Sequence, residues 1–350
     1  MLQLATILYS KGFSITIAHP QFNSPNHENH PEFHFVSIPD GLSKTNFSPS
    51  NLMAAITALN SNCEAPFQQY MEEMMKVEDP HDRVAGVVYD GFVHFAQAVA
   101  NNLKLHGINV RTSAAATLLL FAVFPDAHHE SLAQAPVPEL QSLDVKGILG
   151  STEIPTPILE LRATVTDATK KASAIIVNTV HFLEQQTLTK VQEHFPSPVF
   201  SLGPFHKLAP SASSSLLKED TSCISWLDKQ APKSVIYISF GSMVNMNEKE
   251  LVEIAWGLAN SEQPFLWVVR PGSVHGSEWI ELLPESFKER VERRGCIVIW
   301  APQKEVLTHG AVGGFWSHCG WNSTLKVFVK EFQCYVDPIL GTRFECKVCV

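Results

Sequence analysis

The residues best able to hold a ligand lie late in the chain, in His318-Cys319-Gly320-Trp321-Asn322-Ser323. Gly320 precedes what reads as a helix start, where backbone N–H groups and the positive end of the helix dipole face an anion such as a diphosphate. His318 and the side chains of Asn322 and Ser323 add hydrogen-bond donors. Upstream, Trp300-Ala301-Pro302-Gln303 follows an apolar run, and the Trp300 ring at a strand end can stack on a planar base. Gly241-Ser242 ends the run Val235 to Phe240 just before Asn247-Glu248, so bare backbone and one hydroxyl can meet a phosphate without a lysine. Taken singly, each has a plain reading: a core tryptophan, a helix cap at Asn322 or Ser323, an ordinary Gly-Ser turn. Together they describe a nucleotide site.

These groups need strand ends to position them. Leu2, Leu4, Ala5 and Leu8 share a helical stripe closed by Lys11-Gly12, and Phe13 to Ala18 alternates as a strand. Apolar β-rich runs recur at His34 to Ser37, Gly86 to Tyr89, Ile108 to Thr112 and Ala174 to Asn178, with helical stretches such as Gly91 to Leu103 and Phe182 to Val191 between them. This alternation predicts a parallel sheet covered by helices on both faces. Pro204, Pro210 and serines 211, 213, 214 and 215 then mark a flexible connection. A second alternation follows: strand Val235 to Phe240, helix Glu248 to Asn260, strands Phe265 to Val269, Cys296 to Ile299 and Gly314 to Trp316, and a helix after Cys319. The expected domains are 1–203, a linker 204–222, and 223–350, doubly wound and facing across a cleft, with ligands beyond the carboxyl ends of the strands.

Composition narrows the function. The 350 residues suffice for two domains, and 45% hydrophobic with 17% charged residues fits a globular chain. A net charge of −9, with 35 acidic against 26 basic residues and no Lys/Arg block, argues against nucleic acid or an anionic membrane as partner. The start lacks a basic n-region, and the longest apolar run, Ala114 to Phe124, is too short to span a bilayer. Seven scattered cysteines read as reduced thiols and point to the cytoplasm; Cys346 and Cys349 have no second pair for zinc. Histidines 27, 30 and 34, irregularly spaced among Pro, Asn and Glu, read as a solvated loop.

From Trp300 to Ser323 the chain closely resembles the signature box of plant-type UDP-dependent glycosyltransferases that act on small molecules. The likeness extends through Trp226-Leu-Asp-Lys-Gln230, Ser234-Val235, Phe240-Gly-Ser242 and Trp267-Val-Val-Arg270, and covers residues 1 to about 325. It implies two Rossmann-like α/β domains of the GT-B type, with a small hydrophobic, hydroxylated acceptor held by the N-terminal one and the UDP-sugar by the C-terminal one. Trp300 would stack on uracil, with Ala301 beside it, and Gln303 would contact the nucleoside. Ser242, His318, Gly320, Asn322 and Ser323 would line the phosphates, and Trp321 would lie near the sugar. The implied reaction is direct displacement at the anomeric carbon with inversion, glucose being the expected sugar, without metal or cofactor beyond the UDP-sugar co-substrate.

The resemblance also predicts departures. It places the general-base histidine ahead of Met1, leaving Asp90, its orienting carboxylate, alone, and leaving both domains incomplete. Lys326 falls where the family has a ribose-binding Glu, and Thr342 and Arg343 where it has a sugar-binding Asp-Gln pair, with Pro338 and Gly341 still matching in a divergent stretch 327–350. One expectation is therefore a fragment that transfers little; the other is an active enzyme. A dinucleotide dehydrogenase would want G-x-G-x-x-G after a strand, and the chain has none.

Overall fold

The structure, a computed structural model, describes residues 1–42, 52–77, 83–123, 156–209, 217–242, 245–274, 283–328 and the backbone of 333–336. Thr342, Arg343, Pro338, Gly341, Cys346, Cys349 and the serines at 211 to 215 lie outside the described residues. The chain divides into two compact units, Met1–Leu216 and Leu217–Val350.

In the first unit α1 (Leu2–Tyr9) buries Leu4 and Ala5, and Gly12 turns the chain at φ 91°, a left-handed conformation that glycine adopts freely. β1 (Thr16–Pro20) and β2 (His34–Ile38) pair in parallel. Then come α2 (Leu52–Met74), β3 (Val87–Asp90), α3 (Phe95–Asn102), β4 (Gly107–Arg111), α4 (Ala115–Val123), α5 (Thr156–Lys171), β5 (Ala174–Val177), α6 (Gln185–His194), β6 (Val199–Ser201) and α7 (Phe205–Leu208). β3 to β6 form a second parallel sheet in sequence order. The single sheet expected for this unit is thus, among the described residues, a pair and a four-stranded sheet. Against the latter, α2 and α3 pack Phe67, Phe95 and Val99, while α4 and α6 pack Leu118, Leu119 and Val191 on Ile175 and Val177.

Local chemistry moves several boundaries. The first strand begins at Thr16 rather than Phe13, whose ring is half exposed and marks no core face. The helix expected from Gly91 starts at Phe95, because the Asp90 carboxylate accepts from the Phe92 amide at 3.0 Å and holds a turn there. The stretch from Phe182 opens as a 3₁₀ turn, His181–Leu183, before α6. There Glu184 accepts from the Ala115 and Ala116 amides at 3.0 and 3.1 Å and from Thr179 Oγ1 at 2.6 Å, capping the N-terminus of α4. His30 departs from the solvated-loop reading: it is 3% exposed, stacked on Phe33 with centroids 5.2 Å apart.

The second unit runs α8 (Ser222–Leu227), β7 (Val235–Ser239), α9 (Glu248–Ser261), β8 (Phe265–Val268), α10 (Glu285–Val291), β9 (Gly295–Val298), α11 (Gln303–Thr308), β10 (Val312–Ser317), α12 (Trp321–Phe328) and β11 (Gln333–Val336). Its five strands are all parallel in the order β11-β10-β7-β8-β9. α9 starts at a reciprocal cap, with Asn247 Oδ1 accepting from the Glu250 amide at 3.0 Å and the Glu250 carboxylate from the Asn247 amide at 2.8 Å. Ile238, Trp267, Leu251, Leu258 and Phe287 pack one face of the sheet. Tyr237, Leu266, Val306 and Phe315 pack the other. The chain winds outward from β7 through β8 to β9 and then returns to β10 on the far side of β7. The strand order reverses between β7 and β10, and in such sheets ligands bind beyond the carboxyl ends at that reversal.

A candidate nucleotide site at the ends of β7 and β10

Ser239 and Ser317 are register partners at the ends of β7 and β10, so the segments that leave these strands start side by side. Gly241 follows β7 at φ 72° and His318 follows β10. A Cβ built on Gly241 would stand 2.5 Å from His318 Nε2, and one built on Gly320 would overlap the same ring from its own side, 3.0 Å from Cε1. The imidazole therefore lies close against two glycines, neither of which can carry a side chain without displacing it. Cys319, at φ 56°, makes the sharp turn into α12, with its amide held by Ser317 Oγ at 3.1 Å. This turn aims the start of α12, Trp321 to Ser323, at the same corner as His318. Burial lowers the pKa of His318 below its ordinary value, so at neutral pH the ring is uncharged, with one donor and one acceptor nitrogen.

The other expected residues follow β7 and β9 or open α11 and α12. Ser242 is exposed directly after Gly241, Asn322 is exposed and Ser323 is buried at the start of α12. Trp300 follows β9 and packs partly against the core, with its carbonyl accepting from the Asp220 amide at 2.8 Å, and Ala301 is buried beside it. Gln303 opens α11, its Nε2 lying 3.5 Å from Ser323 Oγ. Two residues add a feature that spacing alone does not reveal. Lys326 Nζ donates to Gln303 Oε1 at 2.6 Å, and burial lowers the Lys326 pKa while Glu219 opposes that shift. Burial likewise raises the pKa of Glu219, with Glu305 adding to the rise and Lys326 working against it. The sequence gives no periodic signal for a contact between helices 23 residues apart.

Asp90 ends β3 in the first unit. Its Oδ1 accepts from the Phe92 amide and its Oδ2 from Thr112 Oγ1 at 3.4 Å, and no hydrogen bond joins it to a histidine among the described residues. His19 instead places Nδ1 3.0 Å from the Pro20 carbonyl and packs against His27 and Phe35.

Comparison with known proteins follows this geometry. The family model described as UDP-glucoronosyl and UDP-glucosyl transferase matches residues 194–341. The chain is similar to UDP-glycosyltransferase 76E1 of Solanum lycopersicum, 46% identical over 98% of this chain and 74% of that protein. It is 45% identical to UDP-glycosyltransferase 76H1 of Stevia rebaudiana, over 99% of this chain and 85% of the relative. Among solved structures, Os79 from O. sativa in complex with UDP shares the fold, with a TM-score of 0.76 and 23% identity over 95% of this chain and 77% of that one. A Phytolacca americana UGT2 complexed with UDP-2fluoro-glucose and pterostilbene aligns with a TM-score of 0.70 and 25% identity over 96% of this chain and 77% of that one. These comparisons lend no support to the inert-fragment alternative. With close relatives matched over most of their length and the same two-unit α/β architecture, the chain belongs to the plant UDP-glycosyltransferases of the GT-B fold.

Proposed function

We propose that the second unit, from about residue 223, holds a UDP-sugar at the corner where β7 and β10 end, and that the first, to about residue 203, takes a small apolar acceptor bearing a hydroxyl. The observation that carries this reading is the close approach of Gly241 and Gly320 to His318 beside the start of α12. Trp300 and Ala301 would face the uracil and Gln303 the nucleoside. Ser242, His318, Gly320, Asn322 and Ser323 would donate to the diphosphate, and Trp321 would border the sugar. A diphosphate bound there is the leaving group, and donors preset around it stabilise the charge that develops as the anomeric bond breaks. Attack by the acceptor hydroxyl from the opposite side inverts the anomeric carbon. Glucose is the sugar and phenol-like molecules the acceptors that the relatives' chemistry favours, the Phytolacca structure holding a fluoro-glucose donor and pterostilbene. The cysteines described are free thiols, which accords with a cytoplasmic enzyme. The reading calls for no cofactor beyond the UDP-sugar.

Asp90 would orient the base that takes the acceptor proton, a step worth roughly 10²–10⁴-fold in rate. The test is to incubate residues 1–350 with UDP-glucose and a panel of phenols, follow UDP release, and determine the anomeric configuration of the product. No histidine is hydrogen-bonded to Asp90 among the described residues, so in residues 1–350 Asp90→Ala is expected to leave turnover within about threefold of wild type and UDP affinity unchanged, since Asp90 belongs to the other unit. A loss of about 100-fold in Asp90→Ala would show that Asp90 does orient a base within residues 1–350, and a retained anomeric configuration would remove direct displacement.

A further inference from the structure

Arg111, the last residue of β4, is 1% exposed, and none of the three nitrogens of its guanidinium has a hydrogen-bond partner. A guanidinium does not shed its proton in a protein, and a charge taken out of water without hydrogen bonds is costly to hold. Packing alone would be served better by an apolar side chain of similar volume. Two rings offset part of the cost, with Cζ 5.2 Å from the centroid of Phe92 and 5.4 Å from that of Phe121. A ring face takes up charge but leaves the fork of N–H groups unused. The turn after β3 closes on the same group, since a Cβ built on Gly91 would overlap Nη1 and stand 2.8 Å from Cδ. Burial lowers the pKa of Arg111, and Asp90 and then Tyr89 oppose that fall. The Asp90 oxygens are nevertheless spent elsewhere, Oδ1 on the Phe92 amide and Oδ2 on Thr112 Oγ1.

Phe92 and Phe121 are themselves only half-buried, as is Thr112. The guanidinium thus lies one side chain beneath the surface at the carboxyl end of β4, the end at which parallel sheets bind ligands, and a change of rotamer in either ring opens it. We propose that Arg111 is a specificity-determining residue of the acceptor site, one that receives the carboxylate of an acceptor carrying both an acid group and the hydroxyl that is glycosylated. The inference deepens the acceptor reading given above and rests on it. A carboxylate matches the guanidinium fork with two oxygens. Phosphate offers oxygens too, but its higher charge makes it costlier to bring into so apolar a setting.

The experiment titrates residues 1–350 by isothermal calorimetry with 2-hydroxybenzoate and 4-hydroxybenzoate and with the methyl ester of each, after circular dichroism has shown each variant folded. The wild type is expected to bind at least one acid about tenfold more tightly than its ester, the strength of a hydrogen bond to a charged group. Arg111→Met is expected to lose that preference, binding the acid about tenfold more weakly and the ester within about threefold of wild type. Arg111→Lys keeps the charge without the fork and is expected to retain a preference of about threefold. Equal affinity for acid and ester in the wild type, or a full preference surviving in Arg111→Met, overturns the inference while leaving the acceptor site standing. Inorganic phosphate that competes with the acids overturns the carboxylate assignment. A wild-type chain that binds neither acid nor ester overturns the acceptor reading itself. Should Arg111→Met fail to fold, Arg111→Lys decides, an undiminished preference contradicting the proposal. Failure of both variants to fold would show that the guanidinium serves the fold rather than a ligand, and the inference falls.

Discussion

Replacing Gly241 with alanine lowers the affinity for UDP roughly 100-fold, about 2.7 kcal/mol, while the chain stays folded. Two effects add. Gly241 sits at φ 72°, where a residue with a Cβ is strained by about 1–2 kcal/mol. The new methyl would also stand 2.5 Å from Nε2 of His318, well inside contact distance, so the imidazole has to shift. Alanine therefore displaces the imidazole from the corner it shares with the start of α12, and the proposed UDP site loses the contact assigned to His318. The turn is only partly buried and carries no core side chain, so the damage falls on binding. Fluorescence titration with UDP checks the result. Affinity within threefold of wild type would show that His318 does not touch the ligand.

Replacing Trp267 with alanine costs the second unit about 3–5 kcal/mol of stability. Trp267 is 0% exposed on β8, between Ile238 of β7 and Ile297 of β9, and packs against Phe265 and Phe287. Removing the indole leaves a cavity that a parallel strand hydrogen-bonded on both sides cannot collapse to fill. Against the 5–15 kcal/mol typical of a folded domain, the loss approaches complete unfolding. All seven tryptophans fall between residues 226 and 321, so intrinsic fluorescence during denaturation follows this unit alone. A midpoint shift equivalent to less than 1 kcal/mol would mean that the residue is not packed in the core of this unit.

The second unit is the more legible in sequence, and the reason is burial. Parallel strands covered on both faces read as unbroken apolar runs, as in Val235 to Ile238 and Phe265 to Val269, and α9 announces itself through Asn247 and Glu250. In the first unit α2 is hidden by its polar residues and by Pro66 inside it, and β6 is only three residues long. The residues proposed to hold the ligand are legible one by one, because Trp, His, Asn and Gly at strand ends and a helix start have few other uses together. Their mutual geometry is not legible. The close approach to His318 depends on backbone direction at Gly241 and Gly320, and the Lys326 to Gln303 bond depends on how two helices pack.

Amide hydrogen exchange of residues 1–350, with and without saturating UDP, tests the central claim most directly, since it locates the ligand without altering a residue. The account predicts slowed exchange at 241–242, at 300–303 and across 318–326, with the strands β1 to β6 of the first unit unchanged. Protection confined to the first unit, or none in these three segments when binding is saturated, would contradict it.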